Sequence, residues 1–127
     1  MRKTLQGGFF VHKNKTPEEI VQQQLLCYNS QDLAGFVSTY AEDVLIMEHP
    51  SGNVLVSGKK ALTERYAKMF QENPNNHCVI KDRICYSNYV IDREEITGRD
   101  NRGAFEALAI YEVNDQVISK VWFLEAK

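Results

Sequence analysis

Apolar residues in the first third of the chain recur at helical spacing. Ile20, Val21, Leu25 and Tyr28 fall on one face of a segment that opens with Thr16-Pro17-Glu18-Glu19. Thr16 is a good N-cap, Pro17 suits the first helical position and Glu19 completes a capping box. A first helix is therefore expected to about Tyr28, broken by Asn29-Ser30-Gln31-Asp32. Leu33, Phe36, Val37 and Tyr40 then match the i, i+3, i+4, i+7 template of a second, short helix. Val44 to Glu48 is β-branched and apolar enough for a strand, and Pro50-Ser51-Gly52-Asn53 turns the chain. Val54-Leu55-Val56 reads as a short return strand closed by Gly58. Lys59 to Gln71 reads as a third helix with Leu62, Tyr66, Met69 and Phe70 as its stripe, ended by Asn73-Pro74-Asn75-Asn76.

From His77 the pattern changes to strands joined by tight turns. With a two-residue turn at Ser87-Asn88, Arg83 faces Asp92, Lys81 faces Glu94 and Asp82 faces Arg93, so all three pairs are of opposite sign. These pairs read as surface ladders. Gly98 to Gly103 forms the next turn. A two-residue turn at Asn114-Asp115 would set Ala109 opposite Lys120 and Ala107 opposite Trp122. Phe105, Ala107, Ala109 and Tyr111 would then share a face with Ile118, Lys120 and Trp122, a concave surface with room beside the indole. Leu108, Ile110, Val121 and Phe123 would make the other face apolar too. A sheet apolar on both faces needs both covered, one by helices and the other by a second subunit, so a homodimer through the sheet is expected.

Length and composition fit one soluble domain: 127 residues, 43% hydrophobic and 25% charged, divided by no linker or repeat. Residues 1–15, with Gly7-Gly8 and three lysines, are expected to be a flexible arm, and residues 16–127 the domain. The net charge of -2 gives no case for nucleic acid or an anionic membrane surface. No apolar run approaches the roughly 20 residues of a membrane span. The N-terminus is a poor secretory signal, so a cytoplasmic location is expected. Cys27, Cys78 and Cys85 form no paired motif, and simple alternation sends Cys78 and Cys85 to opposite faces, so buried inert thiols are expected. No phosphate loop, nucleophile elbow or histidine-rich metal spacing is present, and no metal or cofactor is expected.

Helix, helix, short hairpin, helix and a long run of strands resembles the nuclear transport factor 2-like superfamily, also called SnoaL-like. The resemblance covers about residues 16–125. It rests on Tyr28-Asn29-Ser30-Gln31-Asp32-Leu33, Tyr40-Ala41-Glu42-Asp43-Val44, Gly58-Lys59-Lys60-Ala61-Leu62 and Tyr111-Glu112-Val113-Asn114-Asp115-Gln116-Val117-Ile118. It implies an α+β, cone-shaped fold with three N-terminal helices packed on a curved antiparallel sheet. Its closest catalytic comparison is ketosteroid isomerase, which uses an Asp base with a Tyr and a protonated Asp as oxyanion donors. By position the base falls on Glu48, or on His49 if one residue is gapped, the tyrosine falls on Gln24 and the protonated Asp on Ala109. Losing the acidic donor counts strongly against steroid isomerisation of the familiar kind.

Glu48 at a strand end is thus either a general base, its pKa raised by apolar walls, or a solvated carboxylate. Alternation sends His49 to the other side, toward the surface. Gln24, an amide on an apolar helical face, would hydrogen-bond a ligand or a core backbone group. Tyr28, Tyr40, Tyr66, Phe70 and Trp122 are either core or, as a set, the lining of a cavity for a flat apolar ligand. One reading is a cofactor-free isomerase- or cyclase-type proton-transfer enzyme acting on a small apolar carbonyl compound, with Glu48 as base and Gln24 as polarising donor. The other is a non-catalytic ligand-binding or dimerisation module.

Overall fold

The computed structural model describes residues 14–125. Most of the expected arm lies outside the described residues; of it, Lys15 is tied down, its N–H donating to Gln116 Oε1 at 2.7 Å and its carbonyl accepting from Gln116 Nε2 at 2.9 Å.

The element order is α1 (Pro17–Ser30), α2 (Leu33–Ser38), β1 (Tyr40–Glu48), β2 (Val54–Ser57), α3 (Lys59–Glu72), β3 (His77–Tyr86), β4 (Tyr89–Thr97), β5 (Phe105–Asn114) and β6 (Val117–Glu125). The capping box forms as its residues dictate: Thr16 Oγ1 accepts from the Glu19 N–H at 3.1 Å, and Glu19 Oε1 accepts from the Thr16 N–H at 2.9 Å. Asp32 caps α2 by accepting from the Gly35 N–H at 3.0 Å. Tyr40, expected to end the second helix, instead opens β1, its ring 5.1 Å from that of Phe36.

The strands form one curved six-stranded sheet in the order β2-β1-β6-β5-β4-β3. Two features differ from the expected architecture. Only α1 and α3 are long, so the three N-terminal helices come down to two long ones and the six-residue α2, with α3 after the first hairpin as the sequence order has it. The sheet is mixed, because β6 returns beside β1 in parallel while the other neighbours are antiparallel. The helices cover one face, where Val21, Phe36, Val44, Leu62, Val90, Ile118 and Val121 are fully buried. At about 25 cal/mol per Å² of apolar surface removed from water, this core is the main source of stability. Among the described residues, no helix is long and apolar enough to cross a membrane.

Two bulges decide which side chains reach that face. The Ser87-Asn88 turn forms as expected, and Arg83–Asp92 and Asp82–Arg93 pair as expected. Between Ile80 and Asp82 the register shifts, so Ile80 rather than Lys81 stands opposite Glu94. Lys81 pairs with Glu95 instead, Nζ to Oε1 3.7 Å, while Glu94 keeps the inward face that β4's own alternation gives it, with Val90, Asp92 and Ile96. The same extra residue brings Cys78 and Cys85 to one face, contrary to simple alternation. Cys78 and Cys27 are buried and Cys85 is exposed at the sheet edge.

The last hairpin turns at Asp115-Gln116, both with positive φ (51° and 69°), one residue later than expected. That slides the pairing by two positions without changing faces. A bulge at Ser119 then turns the rest of β6 over: Ala109 faces Phe123 and Ile110 faces Trp122. Phe123 therefore points toward the helices and Trp122 away from them.

Candidate functional site

Between α3, the end of β1 and the ends of β5 and β6 lies an open cavity of about 540 Å³, within the range of small-molecule sites. Leu55, Met69, Ile96, Phe105, Ala107 and Phe123 give it apolar walls, Glu48, Arg65, Arg99 and Glu125 its charged groups, and His49 an imidazole. A smaller inner chamber of about 60 Å³ shares Tyr66, Ile96, Arg99 and Phe123 with it and adds Gln24, Tyr28, Cys78, Glu94 and Tyr111. The small side chains of Ala107 and Ala109 leave this space because Phe123, not Trp122, stands across from Ala109.

The expected site residues divide between these spaces. Glu48 is exposed at the rim of the outer cavity, where Oε1 accepts from Ser51 Oγ at 3.0 Å. His49 also lines that cavity; β1 ends at Glu48 and the chain bends there, so strand alternation no longer governs His49. Gln24 is buried at the inner chamber, against the Tyr40 hydroxyl, and does not share a cavity wall with Glu48. Tyr66 lines both spaces and Tyr28 the inner one. Tyr40 and Phe70 are buried with Phe36 behind them, core rather than wall. Trp122 is on the far face of the sheet, which removes it from the pocket.

Three residues of the site were not expected: Glu94, Tyr111 and Arg99. Along β4 the buried positions are Val90, Asp92, Glu94 and Ile96, two carboxylates between two aliphatics on the helix-facing side. Asp92 is held by Arg83, whose Nε and Nη2 donate to its two oxygens at 2.7 and 2.9 Å. Glu94, 6% exposed, has no cation within 4 Å among the described residues and accepts only from the Tyr111 hydroxyl, at 3.1 Å. Burial and the charge of Asp92 push its carboxyl up to about 7, against the smaller opposing effects of Tyr111, Arg83 and Arg99. Burial likewise raises the phenols of Tyr111, Tyr40 and Tyr66, so all three stay protonated donors at neutral pH. The period-two run Val90-Ile91-Asp92-Arg93-Glu94-Glu95-Ile96 was the sequence signal; a strand face with two acids between apolar ends is unusual unless something uses them.

Arg99 follows Gly98, whose φ of 77° and close approach to the Asn75 carbonyl leave no room for a Cβ. From that corner Arg99 Nε donates to Asn76 Oδ1 at 2.7 Å and Nη2 to the Tyr28 hydroxyl at 3.1 Å. The Tyr28 oxygen thus accepts from a guanidinium, which leaves the hydroxyl a donor on the chamber wall. Among the described residues, no three His, Cys, Asp or Glu side chains are grouped to hold a metal ion.

The family model described as the SnoaL-like domain matches residues 21–121. The chain belongs to the SnoaL-like family. With its open cavity, this membership supports small-molecule binding at the level of the family. No curated protein matches the chain. Solved structures do. An uncharacterised cystatin-fold protein from Novosphingobium aromaticivorans is 26% identical, with a TM-score of 0.80 over 87% of this chain and 99% of that one. A nuclear transport factor 2-like protein of unknown function from Cytophaga hutchinsonii is 14% identical, TM-score 0.76, over 91% and 95%. A protein of ketosteroid isomerase-like fold from Catenulispora acidiphila, solved with trimethylamine, is 16% identical, TM-score 0.71, over 87% and 86%. The last two likenesses concern the fold.

Proposed function

We propose that the cone is the active site of a cofactor-free proton-transfer enzyme, isomerase- or cyclase-like, acting on a small apolar carbonyl compound. The observation that carries this reading is Glu94, a carboxyl buried on the wall of the inner chamber with the Tyr111 hydroxyl as its donor, which burial pushes up to about 7. A base poised near the working pH can take a proton from carbon and return it without being trapped in either form. The chamber holds only a few ligand atoms, so the carbonyl end enters it while the rest of the molecule lies against Met69, Phe105 and Phe123. The Tyr28 hydroxyl and the Gln24 amide then face the carbonyl oxygen as donors for the developing enolate. This moves the base from Glu48, which water reaches at the rim, to Glu94, and leaves Gln24 the role its position suggested.

The test follows α-proton chemistry directly. Washout of α-deuterium from labelled 2-tetralone, read by NMR, should exceed the buffer rate and rise with pH through about 7 as Glu94 ionises. Glu94→Gln should reduce the enzymatic rate by roughly 10²-fold or more, whereas Glu48→Gln should leave it within a few-fold. Equal loss in both variants, or no loss in Glu94→Gln, would reject Glu94 as the base.

The remaining expectation concerns the far face of the sheet. Registers across all six strands align Ile84, Ile91, Ile110, Trp122, Met47 and Val54 in one row, and Ile84 and Val54 are more than half exposed. We propose that a second copy covers this row, since water contact along it is unfavourable. Light scattering should give twice the 14.6 kDa chain mass for the parent and the single mass for Trp122→Glu; a monomeric parent would remove the dimer.

A further inference from the structure

The five described arginines fall into two groups. Arg83, Arg93 and Arg102 each meet a carboxylate: Asp92 at 2.7 Å, Asp82 at 2.6 Å and Glu125 at 2.9 Å. Arg65 and Arg99 meet none within 4 Å among the described residues, and both of these line the outer cavity. Arg99 is the more constrained of the two. It is half-buried where the cavity meets the inner chamber, whereas Arg65 is exposed on α3.

A half-buried guanidinium with no carboxylate in contact is costly unless something supplies one. Arg99 is also held still before any ligand arrives. The buried Asn76 takes Nε, the buried Tyr28 takes Nη2, and the Phe105 ring lies 5.6 Å from its central carbon. Of the five N–H groups of an arginine these two bonds use two, leaving three, among them both on Nη1. A planar fork fixed on one side and open on the other suits a carboxylate, which takes two parallel N–H bonds. The rim sets the charge of the group admitted. Glu48 and Glu125 stand there too, and with Glu125 already held by Arg102 the surroundings favour a monoanion over a phosphate dianion.

We propose that the ligand of this cavity carries a carboxylate, bound by Arg99 with Arg65 as an outer cation, on an apolar body that packs against Met69, Phe105 and Phe123. This rests on reading the cone as a ligand site, and it narrows the substrate class from apolar carbonyl compounds to apolar acids bearing a carbonyl. Arg99 thereby serves two purposes: it polarises the Tyr28 hydroxyl and places the substrate by its acid group. A neutral compound could still react, but it would bind without the anchor.

Calorimetric titration with 2-naphthoate and 2-naphthamide, of nearly equal shape and unequal charge, decides the point. The parent should bind naphthoate about tenfold or more tightly than naphthamide, a preference weakened by salt. Arg99→Gln should remove the preference, and Arg99→Lys, which keeps the charge without the fork, should retain only part of it. Thermal unfolding establishes that each variant is folded, and the comparison on the parent alone holds whether or not a variant folds. Equal affinities, no binding of either compound, or tighter binding of naphthamide by the parent would overturn the proposal. So would a preference that survives Arg99→Gln and disappears in Arg65→Gln. Naphthoate preference without deuterium washout from 2-tetralone would leave the acid site standing and remove the base role of Glu94; washout without the preference would do the reverse.

Discussion

At pH 8 the Glu94→Gln variant should be more stable than the parent, by about 3 kcal/mol, and the gain should shrink to a few tenths near pH 4.5. The carboxyl is raised from 4.5 to about 7 in the folded protein. Between those two values the folded chain holds a proton that the unfolded chain has released. Stability from this group is therefore fully present below about 4.5 and is lost as pH rises through about 7, above which the loss is constant. The rise from 4.5 to about 7, at about 1.4 kcal/mol per tenfold change in proton affinity, gives the stated size. Glutamine keeps the shape and an acceptor for the Tyr111 hydroxyl but has no charge to bury. Urea unfolding of parent and variant from pH 4.5 to 8 measures the difference, in which the other titrating groups largely cancel. A flat difference across that range would mean that Glu94 is solvated in the folded protein. A stabilising variant with lost turnover is the pattern expected where a buried charge is kept for chemistry rather than for folding.

The elements of this fold were legible because each is encoded locally. Thr16, Pro17 and Glu19 mark a helix start wherever they occur in that order, and the stripe of Leu62, Tyr66, Met69 and Phe70 can only be helical. The site was less legible because it depends on which face of a strand a residue meets, and two single-residue bulges decide that. Nothing in Ile80-Lys81-Asp82 or Ile118-Ser119-Lys120 announces an extra residue by turn chemistry. Yet the first sets Ile80 rather than Lys81 beside Glu94, so no cross-strand cation meets that carboxylate, and the second exchanges Trp122 for Phe123 on the cavity side. The opposite-sign pairing read from charges was right for Arg83–Asp92 and Asp82–Arg93, on the turn side of the bulge, and wrong for Lys81–Glu94, beyond it. Pairing by charge also treated Asp92 and Glu94 as surface residues, although their neighbours Val90 and Ile96 lie on the same face and are buried. Face assignment by period two should have outweighed the ladder. Glu48 and Gln24 were placed correctly on their elements; what a strand pattern could not show is that one reaches the outer rim and the other the inner chamber.

Arg83→Ala should cost about 3–5 kcal/mol. The Arg83 side chain is 14% exposed and that of Asp92 only 1%. Besides its two bonds to Asp92, Arg83 donates through Nη1 to Gln22 Oε1 on α1 at 2.9 Å and lies 3.9 Å from Glu18. Removing it leaves a charged carboxylate without a partner beneath the first helix, and an alanine restores none of that solvation. Replacing the pair together, as Arg83→Met with Asp92→Leu, removes both charges at similar volume and should recover most of the loss. The double variant also reports on the site. Asp92 raises the Glu94 carboxyl more than Arg83 lowers it, so deleting both should move the midpoint of the deuterium-washout profile below 7. Chemical unfolding gives the first comparison and the pH–rate profile the second. An unmoved midpoint in a folded double variant would show that burial alone tunes Glu94, and that the Asp92–Arg83 pair serves only to dock α1 on the sheet.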